Sequence, residues 1–208
     1  VKTGLSNTTT PKVIMNCGMK VKSERRRVFI GDQIDKCRDP AGLYFVLAFQ
    51  KGYILNWTNQ KIVWDYIFSK DCLPIKFKET PVIVTEPLFN FQYNQEGMQQ
   101  LLFGEYEVHS ILTVNPTDLC DYNYRKTNND PKATIIVDTG YSFTHVVPYL
   151  KGEKVMEAIR RLDVGGKLLT NQLKEIISYR QLNVMEETYV MNQAKEDACF
   201  VTQNFMED

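Results

Sequence analysis

Apolar residues along the 208-residue chain fall into short runs whose period changes from segment to segment. "PKVIMN" (11–16) has the apolar content of a short strand, whereas "GMKVKSERRRVFIGDQ" (18–33) is polar, basic and irregular. "GLYFVLAFQKGYILNW" (42–57) is β-rich. Beyond it, Ile62, Val63, Tyr66 and Ile67 recur at helical spacing, which predicts a helix over 58–70 capped by Asn56 or Thr58. "PVIVTEP" (81–87) predicts a short strand of a buried parallel sheet. Met98, Leu101, Leu102 and Tyr106 predict a helix over 94–106, and "HSILTV" (109–114) another strand. Alternation of strand and helix predicts a layered α/β unit with crossover connections.

From 134 the pattern changes. "TIIVD", "SFTHVVPYL" and "EAIRRLDV" predict three consecutive strands. Gly165-Gly166 follows, then an amphipathic helix (167–179) with Leu169, Leu173, Ile176 and Ile177 on one face, and a last helix over 187–201. The chain therefore divides into two α/β units, the first running to about 130 with an insertion near its start and the second beginning at 134. Composition adds limits. A hydrophobic fraction of 43% is enough for a core, and 25 basic against 25 acidic residues leave no overall field toward nucleic acid or membrane. Five scattered cysteines, none spaced Cys-x-x-Cys, suggest reduced thiols of the cytosol or nucleus rather than a disulfide framework or zinc site. No leader is recognisable, and no apolar run approaches the ~18 residues of a membrane span, so no membrane partner is expected. The start without Met and the finish just after a helix suggest that both ends are cut from something longer.

Candidate chemistry concentrates in "TIIVDTGYSFTHVVP" (134–148). Asp-x-Gly between two strands has a physical use: Gly140 at positive φ would let consecutive N–H groups form a nest for phosphate oxygens. Asp138, repelled by phosphate, would instead hold the water shell of a bridging Mg²⁺. Gly165-Gly166 would leave the following helix N-terminus open, with free N–H groups and with Lys167 adding a cation. Each feature also has a plain reading, as a turn and as a loop.

These residues also carry a resemblance. "IIVDTGYSFTHVVP" resembles the second phosphate loop of the actin superfamily, whose pattern is Asp-x-Gly-x-x-x-Thr-x-x-x-Pro. "RLDVGGKLLTNQL", "GYILNWTNQKIVWDYIF" and "VIVTEPLFNFQYNQEGMQQLLFGEY" are similar to other segments of that superfamily, in order along nearly the whole chain. The resemblance implies an α/β, actin-like (ribonuclease-H-like) fold that is incomplete. Residues 1–16 and 52–133 would form the first core, lacking its opening strand and first phosphate loop, with an exposed apolar sheet edge as a result. Residues 17–51 would be a small inserted subdomain, and 134–208 the start of the second core with part of its own insertion. The expected nucleotide-binding residues are Asp138, Gly140, Tyr141, Ser142, Thr144, Gly165, Gly166, Lys167, Lys195 and Glu196. Lys195-Glu196 match a pair that frames adenine and ribose, although Lys-Glu is also common on a solvated helix face.

"PLFNF", "VDTGYSFTHVVPY" and "GGKLLTNQLKEIISYRQLNVMEETYV" are most similar to a nuclear branch of the actin-related proteins. That branch implies a scaffold subunit of a chromatin-remodelling complex that exchanges a core histone for its variant. Such a subunit would reside in the nucleus, with the cytoplasm as a second compartment, and serve transcription regulation. Its partners would be other subunits, and histones or nucleosomes through them.

Departures from the superfamily pattern shape the expectation further. Tyr141 and Ser142 stand where actin has an acid and a glycine. No Gln occurs between Gln100 and Gln172 to position an attacking water; Asn115 is nearest. His145 matches a histidine near the catalytic water, but a lone His is more often structural. The expectation is a degenerate ATPase site that binds ATP with Mg²⁺ structurally in the full-length protein, and weakly or not at all in a chain with one of two phosphate hairpins. "CGMKVKSERRRV" is shorter and more basic than actin's polymerisation loop, so no filament is expected. Lys20, Lys22, Arg25, Arg26 and Arg27 form a basic cluster, either a solvated edge or a contact for DNA phosphate or an acidic partner. Rival readings are a cytoskeletal actin-like ATPase or polymerising protein, and a sugar-kinase-like phosphoryl transferase.

Overall fold

The computed structural model describes residues 1–22, 27–37, 42–180 and 182–207. Strands β1 (Lys2–Thr3) and β2 (Lys12–Val13) pair antiparallel. So do β3 (Cys17–Val21) and β4 (Leu43–Leu47), and then β5 (Phe49–Gln50) and β6 (Tyr53–Ile54). Next come α1 (Trp57–Ile67), β7 (Pro81–Thr85), α2 (Gln92–Gly104), β8 (Ser110–Val114) and α3 (Pro116–Thr127). The second half holds β9 (Ala133–Thr139), β10 (Thr144–Leu150), β11 (Glu153–Lys154), β12 (Arg160–Leu162), α4 (Gly166–Arg180) and α5 (Thr188–Ala198).

The segment read as irregular contains a strand. Cys17, Met19 and Val21 alternate inward from β3 and form a core cluster with Phe29 and Leu43. Gly18 and Lys20 dilute the hydrophobicity but leave the period of two intact. In α1, Asn56 is the cap, its side chain accepting from Asn59 N–H at 2.9 Å. The buried face is Gln60, Val63 and Ile67, with Ile62 at the surface. Gln60 is tolerated inside because its Nε2 donates to Asn16 Oδ1 at 2.9 Å.

β7 and β8 are parallel, with Val82 opposite Ile111, and α2 forms the crossover. One face of the pair is covered: Val82, Val84 and Ile111 pack on Met98, Leu102 and Val108. On the other face Ile83 and Leu112 are exposed within this chain. The polar helix α3 escaped the periodicity argument. Its start is nevertheless written locally, in Asn115, Pro116 at its first turn and Asp118 closing a capping box.

In the second half β10 is central. β9 runs antiparallel along it for seven residue pairs, from Thr139↔Thr144 to Ala133↔Leu150, while β11 and β12 line its other edge. The third strand expected over 157–164 is shortened to Arg160–Leu162 by a 3₁₀ turn at Met156–Ala158. Helix α4 corrects its predicted face. Thr170 and Lys174 are its buried residues and Leu173 and Ile177 are half-buried beside them, while Leu169 and Ile176 are exposed. Lys174 Nζ donates to Met185 O at 3.2 Å and Thr188 Oγ1 at 2.9 Å, so hydrogen bonding to the α5 side outweighs the apolar stripe in orienting the helix.

Candidate phosphate-binding corner

Asp138 ends β9, and Gly140–Phe143 make the turn into β10. Gly140 N–H donates to Phe143 O at 2.9 Å, closing the turn. The expected positive φ at Gly140 does not occur; positive-φ glycines among the described residues are Gly31, Gly52 and Gly152. The turn instead brings Phe143 O to within 3.2 Å of where a Gly140 Cβ would lie. Among the described residues no acceptor meets the Tyr141 or Ser142 N–H. Those two adjacent donors, at a fixed turn with Asp138 half-buried beside them, are what the hairpin offers an anion.

The Gly165-Gly166 connection differs from expectation. Gly166 N–H donates to Gly140 O at 3.0 Å and Lys167 N–H to Tyr141 O at 2.9 Å. These two amides of the helix N-terminus therefore hold the hairpin through its carbonyls and are taken from a ligand. Approach is so close that a Cβ on Gly165 would sit 2.6 Å from Tyr141 O and 2.7 Å from Gly140 O, which only glycine allows. Thr144 Oγ1 donates to Val164 O at 2.8 Å, fixing the same connection. Lys195, on α5, donates to Gly166 O (3.3 Å), Thr170 Oγ1 (2.9 Å) and Asn192 Oδ1 (3.0 Å). Asn192 Nδ2 in turn donates to the exposed Glu196 at 2.8 Å. Lys195 is thus a partly buried tie on the first turn of α4 and does not lie on a solvated face.

Residues that sequence reasoning missed brace the corner from behind. Arg161, opposite His145 in the β10–β12 register, donates to Lys51 O at 2.8 Å and Tyr53 Oη at 3.0 Å. Its guanidinium lies 4.5 Å from the Phe143 ring centroid, a stacking arrangement open to Arg. Gly52, at φ +84°, makes the tight β5–β6 turn, and a Cβ there would lie 2.0 Å from Phe143. The Lys-Gly pair between two β-rich runs was the available signal for that turn; nothing local marks Arg161.

His145 is buried, faces Asp138 across the hairpin and meets the Phe143 ring at a tilt with centroids 4.3 Å apart, and its Nε2 has no partner among the described residues. Burial first, and then the Arg161 charge, lower its pKa against a smaller opposing pull from Asp138. The ring is held neutral, which suits packing. Asn115 is fully engaged: Nδ2 donates to Glu86 O at 3.1 Å, Oδ1 accepts from Lys154, and its N–H donates to Asp118 at 3.3 Å.

The basic cluster is described only in part. Lys20 faces Tyr44 within β3–β4, Lys22 pairs with Glu186, and Arg27 stacks over Phe29 at 4.4 Å. Arg25 and Arg26 lie outside the described residues. Among those residues no group of three metal-ligating side chains converges, and no helix is long and apolar enough to cross a membrane.

Comparison with known proteins gives one answer. The chain is 53% identical over 209 residues to Actin-related protein 6 of Drosophila melanogaster, covering 98% of this chain and 52% of that protein. It is 40% identical to Actin-like protein ARP6 of Cryptococcus neoformans var. neoformans serotype D, covering 100% of this chain and 43% of that protein. Against Actin-related protein 6 of Dictyostelium discoideum the identity is 32%, covering 100% and 46%. The chain thus spans about half the length of the curated relatives it matches. The actin family profile matches residues 1–208, the same span that supplies the parallel β7–β8 pair and the Asp-x-Gly hairpin, and the chain belongs to the actin family.

Proposed function

We propose that the full-length protein is a non-catalytic scaffold subunit of a nuclear chromatin-remodelling complex that exchanges a core histone for its variant, and that it holds ATP with Mg²⁺ as a structural ligand. The observation that carries the nucleotide reading is the pair of unpartnered amides at Tyr141 and Ser142, on a turn fixed by Gly166, Lys167 and Thr144. Those amides fit phosphate oxygens, and Asp138 fits the water shell of Mg²⁺. When bound, the ion would neutralise phosphate charge. Gly140, Gly165, Gly166 and Lys195 position the amides and are not assigned direct ligand contacts.

Support for a binder without turnover comes from the first half. Asn115, the candidate nearest to a water-positioning amide, has its side chain engaged by Glu86 O and Lys154. Loss of a positioned proton acceptor typically removes ~10²–10⁴ in rate. The buried, neutral His145 packs against Phe143 and has no hydrogen-bonded relay to Nε2. The remodelling role is an inference from similarity to proteins named Actin-related protein 6.

The test is affinity purification of the tagged full-length protein from nuclei. Co-recovery of a DNA translocase and histones, with near-stoichiometric ATP or ADP released on denaturation, is the expected result. Sustained phosphate release by the isolated protein, or sedimentation as filaments in Mg²⁺ and salt, would replace this reading with an actin-like ATPase.

A further inference from the structure

We propose that Thr10 is a phosphorylation site for a proline-directed serine/threonine kinase, and that its phosphate draws Lys12 off the Cys72 carbonyl and loosens the connection between α1 and β7. Neither step depends on the nucleotide reading above.

Thr-Pro occurs twice in the chain, at Thr10-Pro11 and Thr80-Pro81. Thr80 is half-buried where the chain enters β7, and its N–H donates to Phe77 O at 3.2 Å. Thr10 is exposed in the connection between β1 and β2. Among the described residues its hydroxyl has no partner, whereas Thr8 Oγ1 donates to Leu5 O at 2.8 Å. A residue before proline is held away from the helical region and toward the extended conformation in which a kinase takes its substrate, and proline brings no N–H that would need a partner in the kinase cleft. The β1–β2 ladder that closes the connection has two residue pairs, Lys2↔Val13 and Thr3↔Lys12. So short a ladder lets the connection detach and enter a cleft without opening the core.

In the transfer, Thr10 Oγ1 forms a bond to the γ-phosphorus of ATP as the bond from that phosphorus to the β–γ bridging oxygen breaks. ADP leaves, and the hydroxyl proton passes to the kinase's base. The product places close to two negative charges two residues from Lys12. Lys12 Nζ donates to Cys72 O, and among the described residues no carboxylate lies within ion-pair distance of it. An ammonium bonds a phosphate more strongly than a neutral carbonyl, so Lys12 turns to the phosphate. Cys72 sits where the chain leaves α1 for β7, with its own N–H on Ser69 O at 3.2 Å and Leu73 N–H on Ile67 O at 3.0 Å. Once Lys12 has turned, those local hydrogen bonds hold the connection without the tie from β2.

The experiment treats the full-length protein with a purified mitogen-activated protein kinase, which is proline-directed, and Mg²⁺–ATP, and maps phosphate by mass spectrometry. Phosphate at Thr10 is expected, absent from Thr10→Val and acquired about tenfold more slowly by Pro11→Ala. No phosphate, phosphate at Thr8, Thr9 or Thr80 in place of Thr10, or equal rates for Pro11→Ala and wild type overturns the site. Hydrogen exchange then reads the consequence. Amides of residues 69–73 should exchange about threefold faster in the phosphorylated protein, the size expected of an exposed polar contact, and equally so in unphosphorylated Lys12→Ala. Phosphorylation of Lys12→Ala should add nothing further, and β9–β10 protection, the folding control, should stay unchanged. Unaltered exchange over 69–73 in phosphorylated wild type, or a further rise in phosphorylated Lys12→Ala, overturns the role of Lys12.

Discussion

Two strand ends in this chain carry polar residues in comparable positions and use them in opposite ways. After β8, every hydrogen-bonding group of the Asn115 side chain has a partner within the protein, and the residue serves as cap and cross-link between Glu86, Lys154 and α3. After β9, the carbonyls of Gly140 and Tyr141 are taken by the start of α4, while the amides of Tyr141 and Ser142 have no acceptor among the described residues. The difference separates rigidity from readiness to bind. A donor already satisfied internally contributes stability and is lost to a ligand; an unsatisfied donor on a held turn costs little while it faces solvent and is available to an anion.

The sharpest way to break the contrast is to remove the support of the second strand end. Gly165→Val should collide with the carbonyls of Tyr141 and Gly140 and cost about 3 kcal/mol, read as a fall in melting temperature of the full-length protein together with loss of bound nucleotide. Gly166→Ala, whose Cβ would meet its nearest neighbour at 3.7 Å, should change the melting temperature far less. If both variants melt alike, the close approach is not what fixes the turn.

Asn115→Ala should cost about 1 kcal/mol by leaving Glu86 O without its donor, with Lys154 still paired to Asp118 at 3.0 Å, and yet leave nucleotide content unaltered. A loss of nucleotide in a stably folded Asn115→Ala protein would show that the first strand end belongs to the binding site after all.

A smaller effect concerns pH. The folded-state pKa of His145 lies below its ordinary value of 6.5, so the unfolded chain takes up the proton first. Stability contributed by the neutral ring is present above pH 6.5 and is lost as the pH falls through the lowered folded value. Melting temperature should decline over that acidic range in wild type, and less steeply in His145→Phe. Equal slopes would mean that His145 is not held neutral by its burial. Smallest of all, Tyr141→Asp should leave phosphate release at background, because restoring an acid at the hairpin does nothing for the engaged Asn115.

Much of the fold was legible because its signals are local. The β7–α2–β8 unit follows from two short apolar runs around one amphipathic stretch. The Asp-x-Gly hairpin follows from β-rich runs on both sides of a turn. Failures came where a tertiary partner overrode a local pattern. The apolar stripe of α4 predicts Leu169, Leu173, Ile176 and Ile177 inside; Leu173 and Ile177 are half-buried beside Thr170 and Lys174, which find hydrogen-bond partners toward α5, while Leu169 and Ile176 are exposed. Helix α3 was missed because its exposed residues outnumber its buried ones, although Asn115, Pro116 and Asp118 mark its start. At the site, the hairpin residues and Lys195 were named from sequence and do meet. Arg161 and Tyr53 were not named, because a contact across more than a hundred residues leaves no trace in either segment alone; for Gly52 the turn is local but its approach to Phe143 is not.

Sequence alone determined the β7–α2–β8 unit, the hairpin with its carboxylate and glycine, and membership of the actin family, since each depends on residue types at short, fixed spacing. Only the tertiary structure decided which donors remain free. Gly166 and Lys167 amides are consumed by the hairpin, those of Tyr141 and Ser142 are not, and Tyr189 crosses to the other half. A hydrogen-bonding group is available or engaged according to what packs beside it, and that neighbour is set by chain segments distant in sequence.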